Sequence, residues 1–322
     1  MPPHQGHLLV CDVAQKYVDH MTVLLCSHDG QPIDGFLRAE WMRACLDQKA
    51  FSVIHMHRDI PQEPEDHPDF WQIWKDTIFE HHPEPIDVVF GSETYVHKLA
   101  QVLGASPHVV DLERQIVPVS GTGIRDTPSK NWNFIPLPVR PYFQKRVTLI
   151  GAESTGKSTL SNLLADQFGT KVIPEYGRTY DETFKHGSNW DHDDFVKIAD
   201  GHFSSATAIA PTAGPIIFED TDLLQTLVWS QALLGEASQV LIERLKNMKA
   251  PDLYLLLNPE MKWVDDGTRY HSDQEQRLRF HAHLKEWLNM KKAPWIEISG
   301  STWDDRQKHA ELAIAKLVAS AS

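Results

Sequence analysis

Gly151-Ala152-Glu153-Ser154-Thr155-Gly156-Lys157-Ser158 constrains this chain more than any other stretch. It has the form G-x-x-x-x-G-K-[ST], with the apolar run RVTLIG (Arg146 to Gly151) before it and an amphipathic helical pattern after it. A glycine-rich turn in that setting offers backbone N–H groups and the positive end of a helix to nucleotide phosphates. Lys157 is then expected to reach the β- and γ-phosphates and the Ser158 hydroxyl to ligate Mg²⁺, with Glu153, Ser154, Thr155 and Thr159 completing the ATP-binding stretch. A glycine turn with an accidental lysine is the bland alternative, and the strand-to-helix context argues against it.

Strand candidates PIIFED, PDLYLLLN and PWIEIS follow the loop, and MTVLLCS (Met21 to Ser27), FSVIHM and DVVFGSE (Asp87 to Glu93) precede it, all separated by helical patterns. Short apolar strands alternating with helices predict an α/β chain with parallel sheets covered on both faces. At 322 residues and roughly 150 residues per domain, two domains fit. FIPLPVRPYF (Phe134 to Phe143) holds three prolines and reads as a linker, incompatible with a helix or a central strand. The expected division is residues 1–133, a linker at 134–145, and 146–322.

Composition removes several classes. A 41 % hydrophobic content with ten tryptophans and thirteen phenylalanines excludes disorder, and no apolar run approaches the roughly 18 residues of a membrane helix, so no membrane insertion is expected. The net charge of −13 opposes an extended nucleic-acid footprint, which needs a basic surface. Cys11, Cys26 and Cys45 lack metal-ligand spacing and indicate neither zinc nor disulfides. Without a recognisable signal peptide, a cytoplasmic location is favoured. Oligomeric state, with a homo-oligomer among the options, is left open.

A phosphate loop alone does not choose between a switch GTPase, an ATPase motor and a small-molecule kinase. The guanine-reading NKxD pattern is missing, which weakens the first. PIIFEDTD (Pro215 to Asp222) is an apolar strand ending in acids, placing Asp220 or Asp222 where a metal-linked carboxylate belongs, although these acids could simply cap the next helix. Glu175 ends the strand KVIPE beside Tyr176 and Arg178, placed to accept a proton from a substrate hydroxyl or to form a surface ion pair with Arg178. WVDDGTR, with Trp263, Asp265, Asp266 and Arg269, reads as a lid whose arginine meets transition-state charge, or as a solvated Arg269 paired with Asp265 or Asp266.

HQGH, VSGTGIRDTP, the FIPxxVRPYF stretch, GAESTGKST, PEYGRTY, EDTD and WVDDGTR occur here in one order. That combination closely resembles the bifunctional NadR-type proteins, which join a nicotinamide-nucleotide adenylyltransferase to a ribosylnicotinamide kinase. The resemblance implies a Rossmann-like nucleotidyltransferase followed by a P-loop kinase. Its substrates would be nicotinamide riboside, nicotinamide mononucleotide (NMN) and ATP, its final product NAD, and Mg²⁺ its metal. Residue by residue it implies Gly151 to Ser158 for phosphates, Asp220 and Asp222 near metal and substrate, and Arg269 on the lid; Glu175 as base is a mechanistic inference. In the first half His4 and His7 match the paired histidines of [HT]xGH, and Ser120, Thr122 and Arg125 match I-S-x-T-x-x-R. Positive charge and hydrogen-bond donors from these groups would stabilise attack of a mononucleotide phosphate on the α-phosphorus of ATP. Glu93, Tyr95, Trp41, Trp71 and Trp74 are candidates for gripping base or nicotinamide, with core packing equally open for each tryptophan.

The resemblance also implies a strand and a Gly-Lys-Phe turn ahead of MPPHQGH, so the first domain is expected to lack its first strand. Alternatives to two active sites are a kinase with an inactive first domain, a regulator sensing nicotinamide nucleotides, or a P-loop ATPase that drives a conformational change. DNA binding would need an upstream extension carrying a basic recognition helix.

Overall fold

The computed structural model describes residues 1–46, 51–186, 189–261, 270, 273–300 and 302–319. The chain falls into two compact units, Met1–Tyr142 and Phe143–Ser322. Both are α/β, and among the described residues every strand pairing is parallel.

The first unit runs α1 (Gln5–Tyr17), β1 (Met21–Ser27), α2 (Gly35–Cys45), β2 (Phe51–His57), α3 (Phe70–His81), β3 (Val88–Gly91), α4 (Tyr95–Leu103), β4 (Ser106–Val109), α5 (Gly121–Asp126) and α6 (Arg140–Phe143). β1 pairs with β2 and β3 with β4, giving two separate two-stranded parallel sheets among the described residues. Cys11, Ala14, Met21, Met42 and Leu46 form a core, against which Val23, Leu25 and Phe90 pack from the strands. The proline-rich segment, inside which the unit boundary falls, is partly buried. Ile135 and Val139 are fully buried, the Arg140 guanidinium donates to the Ile135 carbonyl and lies over the Trp132 ring, and α6 supplies a helical turn that the three prolines argued against. Its prolines flank or open turns, where a missing N–H costs nothing, while the alternate residues Ile135 and Val139 bury their side chains.

The second unit runs β5 (Lys145–Gly151), α7 (Lys157–Phe168), β6 (Val172–Ile173), α8 (Tyr176–Tyr180), α9 (His192–Ile209), β7 (Ile216–Asp220), α10 (Leu223–Leu234), α11 (Gln239–Asn247), β8 (Leu253–Leu257), α12 (Gln274–Lys291), β9 (Trp295–Ile298) and α13 (Trp303–Ala319). Its sheet has the order β6-β7-β5-β8-β9. β7 and β8 are buried at every residue, because alternate side chains serve opposite faces: Ile150 and Leu256 meet α9, α10 and α12, whereas Leu149 and Leu255 meet α7 and α13. That explains their continuous apolar runs. β5 is flanked by β7 and β8, so the chain order reverses across it, and a crevice at its carboxyl end is where such sheets take ligands. The phosphate loop begins there.

Candidate functional site

The loop after β5 uses positive φ at Gly156 (85°) and Ser154 (58°). A Cβ on Gly156 would collide with the Trp303 ring of α13, so packing as well as backbone conformation demands glycine. Lys157 is buried, its Nζ donating to the carbonyls of Gly151 (3.1 Å) and Ala152 (3.2 Å), and the Thr155 hydroxyl donates to Ala152. Two buried arginines brace the loop from behind. Arg277 of α12 donates to the Glu153 carbonyl; Arg306 of α13 donates to the carbonyls of Thr155, Asn258 and Gly300. Neither arginine was singled out in the sequence, since arginines distant along the chain give no local signal. Arg306→Leu leaves the carbonyls of Thr155, Asn258 and Gly300 without this donor and is expected to lower unfolding free energy by about 3 kcal/mol; an unchanged urea midpoint would contradict that role.

In front of the loop lies a cavity of about 280 Å³, lined on the phosphate side by Glu153, Ser154, Gly156, Lys157, Ser158 and Thr159. Glu175, Tyr176 and Arg178 also line it. The Glu175 carboxyl is pushed up to about 7, chiefly by desolvation, opposed by Lys157 and Arg178 and reinforced by Asp220. Asp220 is buried with Oδ1 unpartnered among the described residues.

Asp222 departs from its expected place near metal and substrate. It is the N-cap of α10, accepting from Leu224 and Gln225 N–H through Oδ1, and its Oδ2 accepts the Tyr254 hydroxyl at 2.6 Å. Both oxygens are thereby engaged, and the two aspartates of EDTD divide into one helix cap and one with an unpartnered Oδ1 among the described residues. Trp263, Asp265, Asp266 and Arg269 lie outside the described residues.

The far wall of the cavity is aromatic: Trp190, Phe195, Trp229 and Tyr270. Trp190 stacks on Phe195 at 5.3 Å, and the Trp229 and Tyr270 ring centres are 6.3 Å apart. The Trp190 indole donates to the Tyr270 hydroxyl, which donates to Asp181 at 2.7 Å. Tyr270 N–H in turn donates to the Glu153 carboxylate, tying the wall to the phosphate loop. Sequence reading missed these side chains because four separate segments supply them.

A second cavity, about 220 Å³, lies in the first unit and gathers His4, His7, Glu93, Ser120 and Thr122. HxGH has a local logic here. His4 caps α1, its Nδ1 accepting from Gly6 N–H, while His7 Nδ1 accepts from His4 N–H, and the rings stack at 3.7 Å. A Cβ on Gly6 would press against the His4 ring. Both Nδ1 atoms being acceptors, each ring carries its proton on Nε2. Desolvation foremost lowers His4 to about 4 and His7 to about 3, with Arg114 adding to both. The pair is therefore held neutral at pH 7 and offers hydrogen-bond donors from Nε2.

Arg125 does not line this cavity; its Nε donates to Asp126. Arg114, which lines it and pairs with Glu93 at 3.4 Å, is the cation there. Asp111 builds the loop that presents Arg114, accepting from the backbone of Ile116 and Val117. Trp71 packs edge-on against Phe70 away from the cavity, Trp41 is buried against Tyr142, and Trp74 donates to the Pro61 carbonyl. Among the described residues, no group of three or more potential metal ligands from His, Cys, Asp and Glu is present, and no helix is long and apolar enough to cross a membrane.

A family model described as an AAA domain matches residues 146–306. The chain is 28 % identical to the trifunctional NAD biosynthesis/regulator protein NadR of Salmonella typhimurium, across 95 % of this chain and 78 % of that protein. The NadR of Escherichia coli matches at the same identity and coverage. The resemblance to NadR-type proteins thus extends over nearly the whole chain. Among solved structures, a NadR protein in complex with NR superimposes with a TM-score of 0.79 at 23 % identity, covering 98 % of this chain and 93 % of that one. Another, in complex with NAD and AMP-PNP, gives 0.75 at 22 % identity with the same coverage. These likenesses establish a shared fold.

Proposed function

Because the chain belongs to the AAA-domain family through residues 146–306, we propose that its second unit is an ATP-dependent kinase of nicotinamide riboside and its first unit an adenylyltransferase that converts the resulting mononucleotide to NAD. The observation that carries the kinase reading is the phosphate loop opening directly on an aromatic-walled cavity that also holds Glu175. Nicotinamide riboside bears a cationic pyridinium ring, and the faces of Trp190, Trp229 and Tyr270 suit a flat cation. The relatives' NAD-biosynthesis names support the same substrate class.

In the kinase step the riboside 5′-hydroxyl attacks the γ-phosphorus of ATP, the bond from that phosphorus to the β,γ-bridging oxygen breaks and ADP leaves, while the hydroxyl proton passes to a carboxylate, Glu175 being the candidate. Lys157 leaves the loop carbonyls to neutralise the transferring phosphoryl group, and the backbone N–H groups from Ser154 to Ser158 hold the β-phosphate. Ser158 and Asp220 offer the hard oxygen donors that suit Mg²⁺, and the unpartnered Asp220 Oδ1 fits a ligand role. Bound there, Mg²⁺ would neutralise charge on the β- and γ-phosphates.

In the adenylyl step the mononucleotide phosphate attacks the α-phosphorus of ATP, pyrophosphate leaves, and no covalent enzyme intermediate is required. The Nε2–H groups of His4 and His7, the Thr122 hydroxyl and the Arg114 guanidinium are the groups that would meet the phosphate oxygens. A Rossmann-like nucleotidyltransferase assignment for the first unit is part of this proposal. Since the histidines are neutral well below pH 7, adenylyl transfer is expected to hold a constant rate between about pH 6 and pH 8. A loss of rate centred near pH 6.5 in buffers of constant ionic strength would show that one histidine must change charge.

Incubating the chain with nicotinamide riboside and excess MgATP, then separating products by chromatography, tests both sites together. NAD is the expected product. Arrest at nicotinamide mononucleotide would leave the kinase reading standing and remove the adenylyltransferase one; ATP hydrolysis without either product would favour a P-loop ATPase.

A further inference from the structure

In the wall of the phosphate-loop cavity one polar side chain has a contact pattern that neither core packing nor loop bracing accounts for. Gln225, on the first turn of α10, is 1 % exposed. Its Oε1 accepts the N–H of Gly151, the first residue of the phosphate loop, at 2.9 Å. That bond fixes the orientation of the amide, so the remaining atom is Nε2, a donor with two hydrogens. Nε2 has no acceptor among the described residues, although Gln225 lines the 280 Å³ cavity. A donor withdrawn from water without an acceptor is a costly arrangement that an arriving acceptor relieves.

The direction of α10 indicates what that acceptor is. Thr221, Gln225, Thr226, Trp229 and Leu233 line the cavity in order along the chain. The helix begins at the phosphate loop, since Thr221 N–H donates to Leu149 at the end of β5 and Gln225 reaches Gly151. At about 1.5 Å per residue, Trp229 lies about 6 Å further from the phosphates than Gln225. In a nucleoside, the sugar lies between the phosphorylated end and the base. A base against Trp229 therefore leaves the sugar beside Gln225.

We propose that the Gln225 side-chain amide donates a hydrogen bond to a ribose hydroxyl of the riboside, making it a sugar-recognising residue anchored to the phosphate loop. The assignment rests on the kinase reading above. It implies selectivity for ribosides over deoxyribosides, set by the same side chain that ties α10 to Gly151.

The test compares nicotinamide riboside with its 2′-deoxy and 3′-deoxy analogues, using the full chain as wild type, Gln225→Glu and Gln225→Met, with KM measured for each nucleoside and for ATP. Gln225→Glu keeps an acceptor for Gly151 N–H but loses the donor; Gln225→Met loses both at nearly constant volume. Wild type is expected to prefer the riboside over at least one deoxy analogue by about tenfold or more in kcat/KM. Both variants should lose that preference through a higher riboside KM, and the Glu variant should keep its ATP KM within about threefold. If the Glu variant retains the wild-type preference, or if only the ATP KM moves in both variants, Gln225 serves the loop alone and the proposal fails. A wild type that discriminates against neither analogue overturns it as well. A wild-type chain that phosphorylates no nicotinamide riboside at all overturns the kinase reading instead.

Discussion

Lys157→Met is expected to reduce riboside phosphorylation by about 10³-fold or more in kcat while leaving conversion of nicotinamide mononucleotide to NAD by the same chain unchanged. Lys157 is buried and its ammonium is solvated by two loop carbonyls, Gly151 and Ala152. Methionine fills nearly the same volume, so the loop can keep its shape while losing the charge that meets the transferring phosphoryl group. Measuring both half-reactions on one preparation supplies the internal control. A fall of less than tenfold would mean that charge stabilisation at this loop is carried elsewhere and that the phosphate-loop reading of the active site is wrong.

The second large effect is in the pH profile. Glu175, with its carboxyl pushed up to about 7 by desolvation foremost, is protonated over much of the acidic range. As a base it must be ionised, so kcat/KM for phosphorylation should rise about tenfold per pH unit below 7 and level off above it. Glu175→Gln should lose both that limb and about 10²-fold or more of the plateau rate. The stability linkage has the opposite sense from a salt-bridged acid. The folded state holds its proton more tightly than the unfolded chain, so ionisation between the ordinary value of 4.5 and about 7 costs stability as pH rises. The Gln variant should therefore gain in Tm relative to wild type at pH 8 and show no gain at pH 4. A limb that survives Glu175→Gln unchanged would transfer the role of base to Asp220.

The second unit was the more legible of the two because its signals are local. Strand, loop and helix around Gly151 to Ser158 are contiguous, and the apolar runs ending at Asp220 and Asn258 match strands β7 and β8 closely. Composition could not separate the two aspartates of EDTD; that required seeing Tyr254 donate to Asp222 from the next-but-one strand. The aromatic wall was invisible for the same reason, as Trp190, Trp229 and Tyr270 converge only through tertiary packing. In the first unit the short strand β4, SPHV, escaped detection since it has neither apolar continuity nor β-branched enrichment beyond Val109. The protonation state of His4 and His7 was not legible, because desolvation and the neighbouring Arg114 depend on burial, which spacing does not report. The boundary between the two units, Tyr142/Phe143, falls inside the proline-rich stretch, but the burial of Ile135 and Val139 within it was hidden by the three prolines.

The backing of the phosphate loop has a consequence for how the protein is made. Arg306 donates to Thr155 across 151 residues of sequence, and Trp303, from the same helix, closes over Gly156. Contacts of such long separation form late, after much loop-closure entropy has been overcome. At a synthesis rate of about 5–20 residues per second, the interval between Gly156 and Arg306 leaving the ribosome is about ten to thirty seconds. During that time the loop has its sequence but not its rear wall. Nucleotide affinity then becomes a signature of finished synthesis: nascent chains stalled before Trp303 should bind ATP poorly, and ATP should protect the second unit from proteolysis only once α13 has emerged.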